Sequence, residues 1–223
     1  MENQKTKNDI DESKKKSLKQ RIFSNEFAGA VWLSKIGDVL ILHFAFLLSS
    51  IFIVTIGAAL TAANYTGMKM ANGMDGGVLE NYFKAFKSNF KRSTIYFLLM
   101  ACSGFVIYMS FGYWFSMRNV IAPIMAIVSI VLAIIWMMIF LYLFGVQAKF
   151  ENTFANTLKN SLKMAVANLP FTLIMFCIIA GMIYLFVMVR LMSAVFVVAG
   201  FGILFLAFGK LYNLIFAKYI VEC

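Results

Sequence analysis

The first long apolar run limits what this chain can become more than any other feature. It reads IGDVLILHFAFLLSSIFIVTIGAALTAA, from Ile36 to Ala63. A block of about 18 or more such residues with few charges is a membrane helix rather than a helix of a soluble core. Four more apolar blocks follow it. Of the 223 residues, 62% are apolar and 13% charged, whereas a soluble domain carries about 25% charged residues. The expected fold is therefore all-α. It is a polytopic helical membrane protein with about five transmembrane helices, near 36–59, 94–116, 121–146, 170–189 and 193–216, plus amphipathic surface helices.

The remaining residues divide the chain in two. Residues 1–35 form a basic polar tail and residues 36–223 a transmembrane domain. The tail has no early apolar core and no small-residue cleavage site, so it does not read as a secretory signal peptide. Its Lys14, Lys15, Lys16, Lys19 and Arg21 suit anionic lipid head groups. Nothing in the tail points to nucleic acid. Leu18, Ile22, Phe23, Phe27, Val31 and Trp32 have helical spacing, which predicts a short interfacial helix with Trp32 at head-group level. Asp38 is placed to cap the first span.

Within the first run, Thr55, Ile56, Gly57, Ala58 and Ala59 make the most distinctive motif. With Thr61, Ala62 and Ala63 they form a strip of small residues, which lets another helix approach closely in lipid. A packing face is the plainer reading. A kink near Gly57 that builds a pocket is the sharper one. His43 is the lone histidine. With no partner at ligand spacing it reads as a packed, hydrogen-bonded side chain rather than a proton relay.

After a Gly- and Asn-containing connector comes VLENYFKAFKSNFKR, residues 78–92. Leu79, Phe83, Phe86 and Phe90 fall on one helical stripe, with Lys84, Lys87 and Lys91 opposite. That pattern predicts an amphipathic helix lying in the membrane surface. A similar stripe, Phe154, Leu158 and Leu162, precedes the fourth block. Phe86 to Leu158 and Arg118 to Arg190 share one offset, 72 residues. The offset suggests two units of parallel orientation after the first span. Each unit would be a basic surface helix, a span, an Arg-bearing turn and a second span.

Orientation rests on the positive-inside rule. Five full crossings divide the 20 Lys and Arg evenly between the two sides, so the rule is then silent. If the first run turned back near Gly57, every one except Arg118 and Arg190 would share a side. The length of the run, enough to cross a bilayer, favours the five-span reading.

The motif Thr55-Ile56-Gly57-Ala58-Ala59 and the segment Phe83-Lys84-Ala85-Phe86-Lys87-Ser88-Asn89-Phe90-Lys91 resemble the YesL family of bacterial membrane proteins, built on a domain of unknown function. The resemblance covers about residues 36–216. It singles out Thr55, Gly57, Ala58, Ala59, Ala62, Phe83, Phe86, Asn89, Phe90 and Lys91 as motif and packing positions. The chain departs from the family pattern at Phe52, where the family has Pro, and this argues against a sharp break in the first run. The resemblance implies a multi-pass protein of the bacterial plasma membrane, associated with carbohydrate uptake and breakdown.

Catalysis finds no footing here. There is no paired carboxylate beside a base, no nucleophile motif and no phosphate loop. Cys102, Cys177 and Cys223 have neither metal nor disulfide spacing, so no metal or cofactor is expected. The last four blocks contain no Asp or Glu, which argues against a proton-driven pump. Two functions are compatible with that. One is a non-enzymatic accessory protein that docks on a membrane transporter complex through its small-residue face and basic helices. The other is a small permease for a neutral solute such as a sugar. Tyr108, Trp114, Trp136, Tyr142, Asn168 and Tyr184 could line the permease, although packing is the commoner use of such residues.

Overall fold

The computed structural model describes residues 33–73 and 77–220, with the side chains of 190–192 and 220 left aside. The basic tail, the interfacial helix and Trp32 lie outside the described residues. The chain forms two units, Met1–Val39 and Leu40–Cys223. In the first, residues 33–39 are helical. Asp38 therefore sits inside a helix rather than capping its start.

The described part of the second unit is built of helices joined by short turns, with no strand. Residues 40–49 form α1. A 3-10 turn at Ile53–Thr55 leads into α2 (Ile56–Ala71), α3 (Val78–Ser116), α4 (Ala122–Lys149), α5 (Phe154–Ala167) and α6 (Leu169–Met188). A short α7 (Arg190–Val195) then passes through a π-helical turn, Phe196–Gly200, into α8 (Phe201–Ile220).

Four stretches are long and apolar enough to cross a membrane: Val78–Ser116, Ala122–Lys149, Leu169–Met188 and Ser193–Tyr219. They match the last four expected spans within a few residues, apart from the early start of α3, and they make this a multi-pass membrane protein. The first run does not form the predicted single span. It breaks at residues 50–55, where Phe52 is extended (φ −93°, ψ 131°). The α2 that follows has 16 residues. That is about 24 Å at 1.5 Å per residue, short of a hydrocarbon core of about 30 Å. Side chains make the break. The Thr55 hydroxyl donates to the Ser49 carbonyl at 2.6 Å, an acceptor that the end of α1 leaves open, and shares that hydrogen with the Phe52 carbonyl at 2.7 Å, which also accepts the Thr55 N–H. From the neighbouring helix, Thr94 donates to the Val54 carbonyl at 3.0 Å.

The small-residue strip lies inside the molecule. Ala58, Ala59, Ala62 and Ala63 are wholly buried, and α2 runs antiparallel to α3, with Thr61 against Ser93 and Lys69 against Asn81. At Gly57 a Cβ would run into the Ser93 carbonyl, and at Gly67 into the Phe205 carbonyl of α8. Gly209 in turn meets the backbone of Gly67. Backbones this close are how helices associate in lipid without a hydrophobic drive.

The predicted surface helix is not a separate element. Residues 78–92 continue into the span as one helix of 39 residues. At about 58 Å α3 is nearly twice as long as the core is thick, so its basic first turns stand beyond the hydrocarbon. Their buried face is Val78, Tyr82 and Ala85, while Leu79 and Phe83 are about half exposed. The packing face is thus turned about one residue from the expected stripe. In the second unit of the suspected repeat, α5 and α6 are separate helices. Asn168 (φ −118°, ψ 42°) and Pro170 mark a corner between them, where α3 runs straight on. The order of elements repeats at the 72-residue offset, but this geometry does not.

Candidate functional site

Two places concentrate polar chemistry. The first is His43, which is wholly buried. Its Nδ1 accepts from the Phe201 N–H at 3.2 Å, and its Nε2 lies 2.8 Å from the Val197 carbonyl. An N–H can only donate and a carbonyl can only accept, so the ring carries its hydrogen on Nε2. Val197 and Phe201 are four residues apart and would bond each other in a regular α-helix. Here the imidazole bridges them across the π-helical turn, with its ring stacked on Phe201 at 5.8 Å. As expected from its lone occurrence, His43 is a packed, hydrogen-bonded group. What the sequence does not disclose is its bridging role in a helix more than 150 residues away.

The second place is a polar cavity of about 550 Å³ at the basic end of the helices, where α3, α4 and α2 meet. Lys84, Asn89, Arg92, Gln147, Lys149 and Glu151 line it. The 3.6-residue repeat places Lys84, Ser88 and Arg92 one turn apart on a single face of α3. The α4 helix ends at Lys149 and so delivers Gln147, Lys149 and Glu151 to the opposite wall. An amide ladder crosses the floor. Gln147 Nε2 donates to Asn89 Oδ1 at 3.1 Å, and Asn89 Nδ2 donates to the Ala85 carbonyl at 3.1 Å and to Ser88 Oγ at 3.1 Å. Gln147 is buried, and among the described residues its Oε1 has no hydrogen-bond partner. Among the described residues, Lys84, Arg92 and Lys149 make no ion pair or hydrogen bond. Among the described residues the cavity therefore gathers three cations and one carboxylate, an excess of positive charge.

Two further cavities are apolar. One of about 560 Å³ lies between α3 and α4, beside Gly104, Tyr108, Ser129 and Trp136. The other, about 530 Å³, lies beside Ile41, Phe44, Leu48 and Phe83.

The motif residues fall into different roles. Thr55 closes the end of α1; Gly57, Ala58, Ala59 and Ala62 pack α2. Phe86 and Phe90 are half buried, their rings 5.6 Å apart. Phe83 borders an apolar cavity, and Lys91 is exposed. Of the ten, Asn89 alone lines the polar cavity. Arg92, Gln147, Lys149 and Glu151 were not singled out in the sequence, although Arg92 lies one turn beyond Ser88. Among the aromatic and amide candidates, Tyr142 bonds Thr172 at 3.0 Å and Asn168 donates to the Tyr219 hydroxyl at 2.9 Å. Both are buried. Among the described residues, no group of three His, Cys, Asp or Glu is placed to hold a metal ion.

Residues 39–111 match a family described as Protein of unknown function, DUF624. The match runs through His43, the break, α2 and most of α3, and ends before α4. It includes Lys84, Asn89 and Arg92 of the polar cavity and leaves out Gln147 and Lys149. No curated protein and no solved structure matches the chain.

Proposed function

We propose that this protein is a non-enzymatic multi-pass component of the bacterial plasma membrane, of the YesL kind, accessory to a carbohydrate uptake system. The observation that carries the reading is where the polar groups lie. The centre of the unit is filled by side chains. Tyr212 donates to the Leu141 carbonyl at 2.5 Å, Tyr142 bonds Thr172, and Phe216 stacks on Tyr212 at 5.4 Å. The polar cavity lies at the basic end, and the other two cavities are apolar. A permease for a neutral solute needs polar side chains along a path near mid-bilayer. An accessory protein needs only a stable scaffold and a surface to dock.

The small-residue face is used up inside the chain, so docking falls to other surfaces. The α6 helix buries only Thr172 and Met175 and leaves Leu173, Ile174 and most of 183–188 exposed. With four crossings, every Lys and Arg from Lys69 onward except Arg118 and Arg190 shares one side, which the positive-inside rule makes cytoplasmic. The test is affinity purification of the tagged chain from its host in a gentle detergent, paired with uptake assays in vesicles holding the chain alone. The expected result is a stoichiometric transporter subunit and no uptake. A partner-free chain that carries sugar into vesicles would overturn the reading in favour of a permease.

A further inference from the structure

We propose that the polar cavity binds a phosphate ester of a polyol. The walls dictate the chemistry. Lys84 and Arg92 approach from α3 and Lys149 from the end of α4, and among the described residues none of the three forms an ion pair, Glu151 being the one carboxylate on the lining. Like charges gathered round one concavity raise each other's energy, and a bound anion relieves that. Arg presents a planar fork that matches phosphate oxygens, and the two ammonium groups add point charge. At about 550 Å³ the cavity holds far more than a bare ion. The organic part of the ligand would meet Glu151, Ser88 and the Asn89–Gln147 ladder. Glu151 accepts hydrogen bonds and repels a second anionic group, which selects hydroxyls over further phosphates or carboxylates. Gln147 brings an enclosed carbonyl oxygen that lacks a donor among the described residues, and a small turn of its amide would offer that oxygen to a ligand hydroxyl.

Such an ester has two sources. It is the head group of phosphatidylglycerol, reached sideways from the bilayer, or a free sugar or glycerol phosphate from the aqueous side. This inference does not depend on the accessory reading, because the cavity would take its ligand with or without a docked transporter.

The experiment uses the full chain in nanodiscs. Binding of phosphatidylglycerol over phosphatidylcholine is measured by native mass spectrometry. Binding of glycerol 3-phosphate is measured by titration calorimetry in phosphatidylcholine discs. Arg92→Gln with Lys149→Gln should weaken whichever ligand binds by about tenfold or more, the scale of a lost charge-assisted contact. Lys87→Gln with Lys91→Gln, which removes the same charge from α3 outside the cavity, should change it less than twofold. Unchanged thermal melting of both variants keeps folding out of the comparison. Retention of phosphatidylglycerol that glycerol 3-phosphate does not displace assigns the head group. Displacement assigns the free ester. Equal weakening by the two double variants, or no preference for either ester, overturns the proposal.

Discussion

The two membrane hairpins run in the same order along the chain and are held together differently. In the first, α3 and α4 touch from end to end. Gln147 meets Asn89 at the basic end, Trp136 Nε1 donates to the Met100 carbonyl at 3.0 Å midway, and Ser110 pairs with Ser129 at 3.1 Å towards the turn. In the second, α6 stays at the margin and α8 finds its partners elsewhere. It crosses α2 at Gly67 and Gly209, bonds α4 through Tyr212, and its π-helical turn is bridged by His43. Lipid gives helices no hydrophobic reason to associate, so small residues and polar pairs decide which ones do. Gly181 of α6 shows the converse, since a Cβ there meets nothing within 4 Å.

The sharpest way to break this contrast is Gly67→Leu. The obstacle is the Phe205 backbone, which cannot rotate away. Overpacking costs about 1–3 kcal/mol where side chains can yield, and more where they cannot. We expect most of the folded, monodisperse protein to be lost after extraction in mild detergent, read by size-exclusion chromatography. Gly181→Leu should leave the profile unchanged, within about 0.5 kcal/mol. If Gly181→Leu proved as harmful, α6 would be packed after all and the hairpins alike.

Next in size is His43→Phe. The aromatic ring can still stack on Phe201, but the Val197 carbonyl and the Phe201 N–H lose their bridge. Each buried backbone group left unpaired costs about 1–3 kcal/mol. Hydrogen exchange should rise at residues 197–201 and stay level in α4. Unchanged protection there would mean that the turn closes into a regular α-helix without help, and that the histidine merely fills space.

These two sites also show what could be read in the sequence. The last four spans were legible, because run length and hydropathy are local properties and the bilayer fixes the length required. The break at 50–55 was legible only as the alternative that the charge tally raised near Gly57, and the length of the run argued against it. It interrupts the backbone without interrupting the apolar composition, and Phe52 stands where a Pro would have announced it. Ser49 and Thr55 were the available signals, since their hydroxyls can bond the backbone in place of a helix. Of the cavity, Asn89 was legible through its motif, and Lys84 and Ser88 lie at helical spacing beside it. Gln147 was not, because it is 58 residues from Asn89 and only the fold joins them. The bridge from His43 to Val197 spans 154 residues and left no trace in any pattern.

A smaller effect probes why the second unit has a corner where α3 is straight. Asn168 donates to the Met164 carbonyl at 3.0 Å and to the Tyr219 hydroxyl, tying the corner to the end of α8. Asn168→Ala should cost about 1–1.5 kcal/mol, the net worth of a buried hydrogen bond, seen as a lower melting temperature. Tyr219→Phe should reproduce much of that loss. A silent Tyr219→Phe would leave Pro170, with its missing N–H, as the cause of the corner.

The smallest effect belongs to the first hairpin. Trp136→Phe keeps an aromatic ring against Gly104 but removes the N–H that donates to Met100 and to Ser103 Oγ. The Met100 carbonyl can still be used within its own helix and Ser103 still donates to it at 3.1 Å, so no buried group is stranded. The loss should be about 0.5–1 kcal/mol, measured in the same melting experiment. A hairpin fastened at three heights tolerates the loss of one fastening. If Trp136→Phe instead cost as much as His43→Phe, the end-to-end contact of α3 and α4 would depend on that single indole. The first hairpin would then be no more robust than the second.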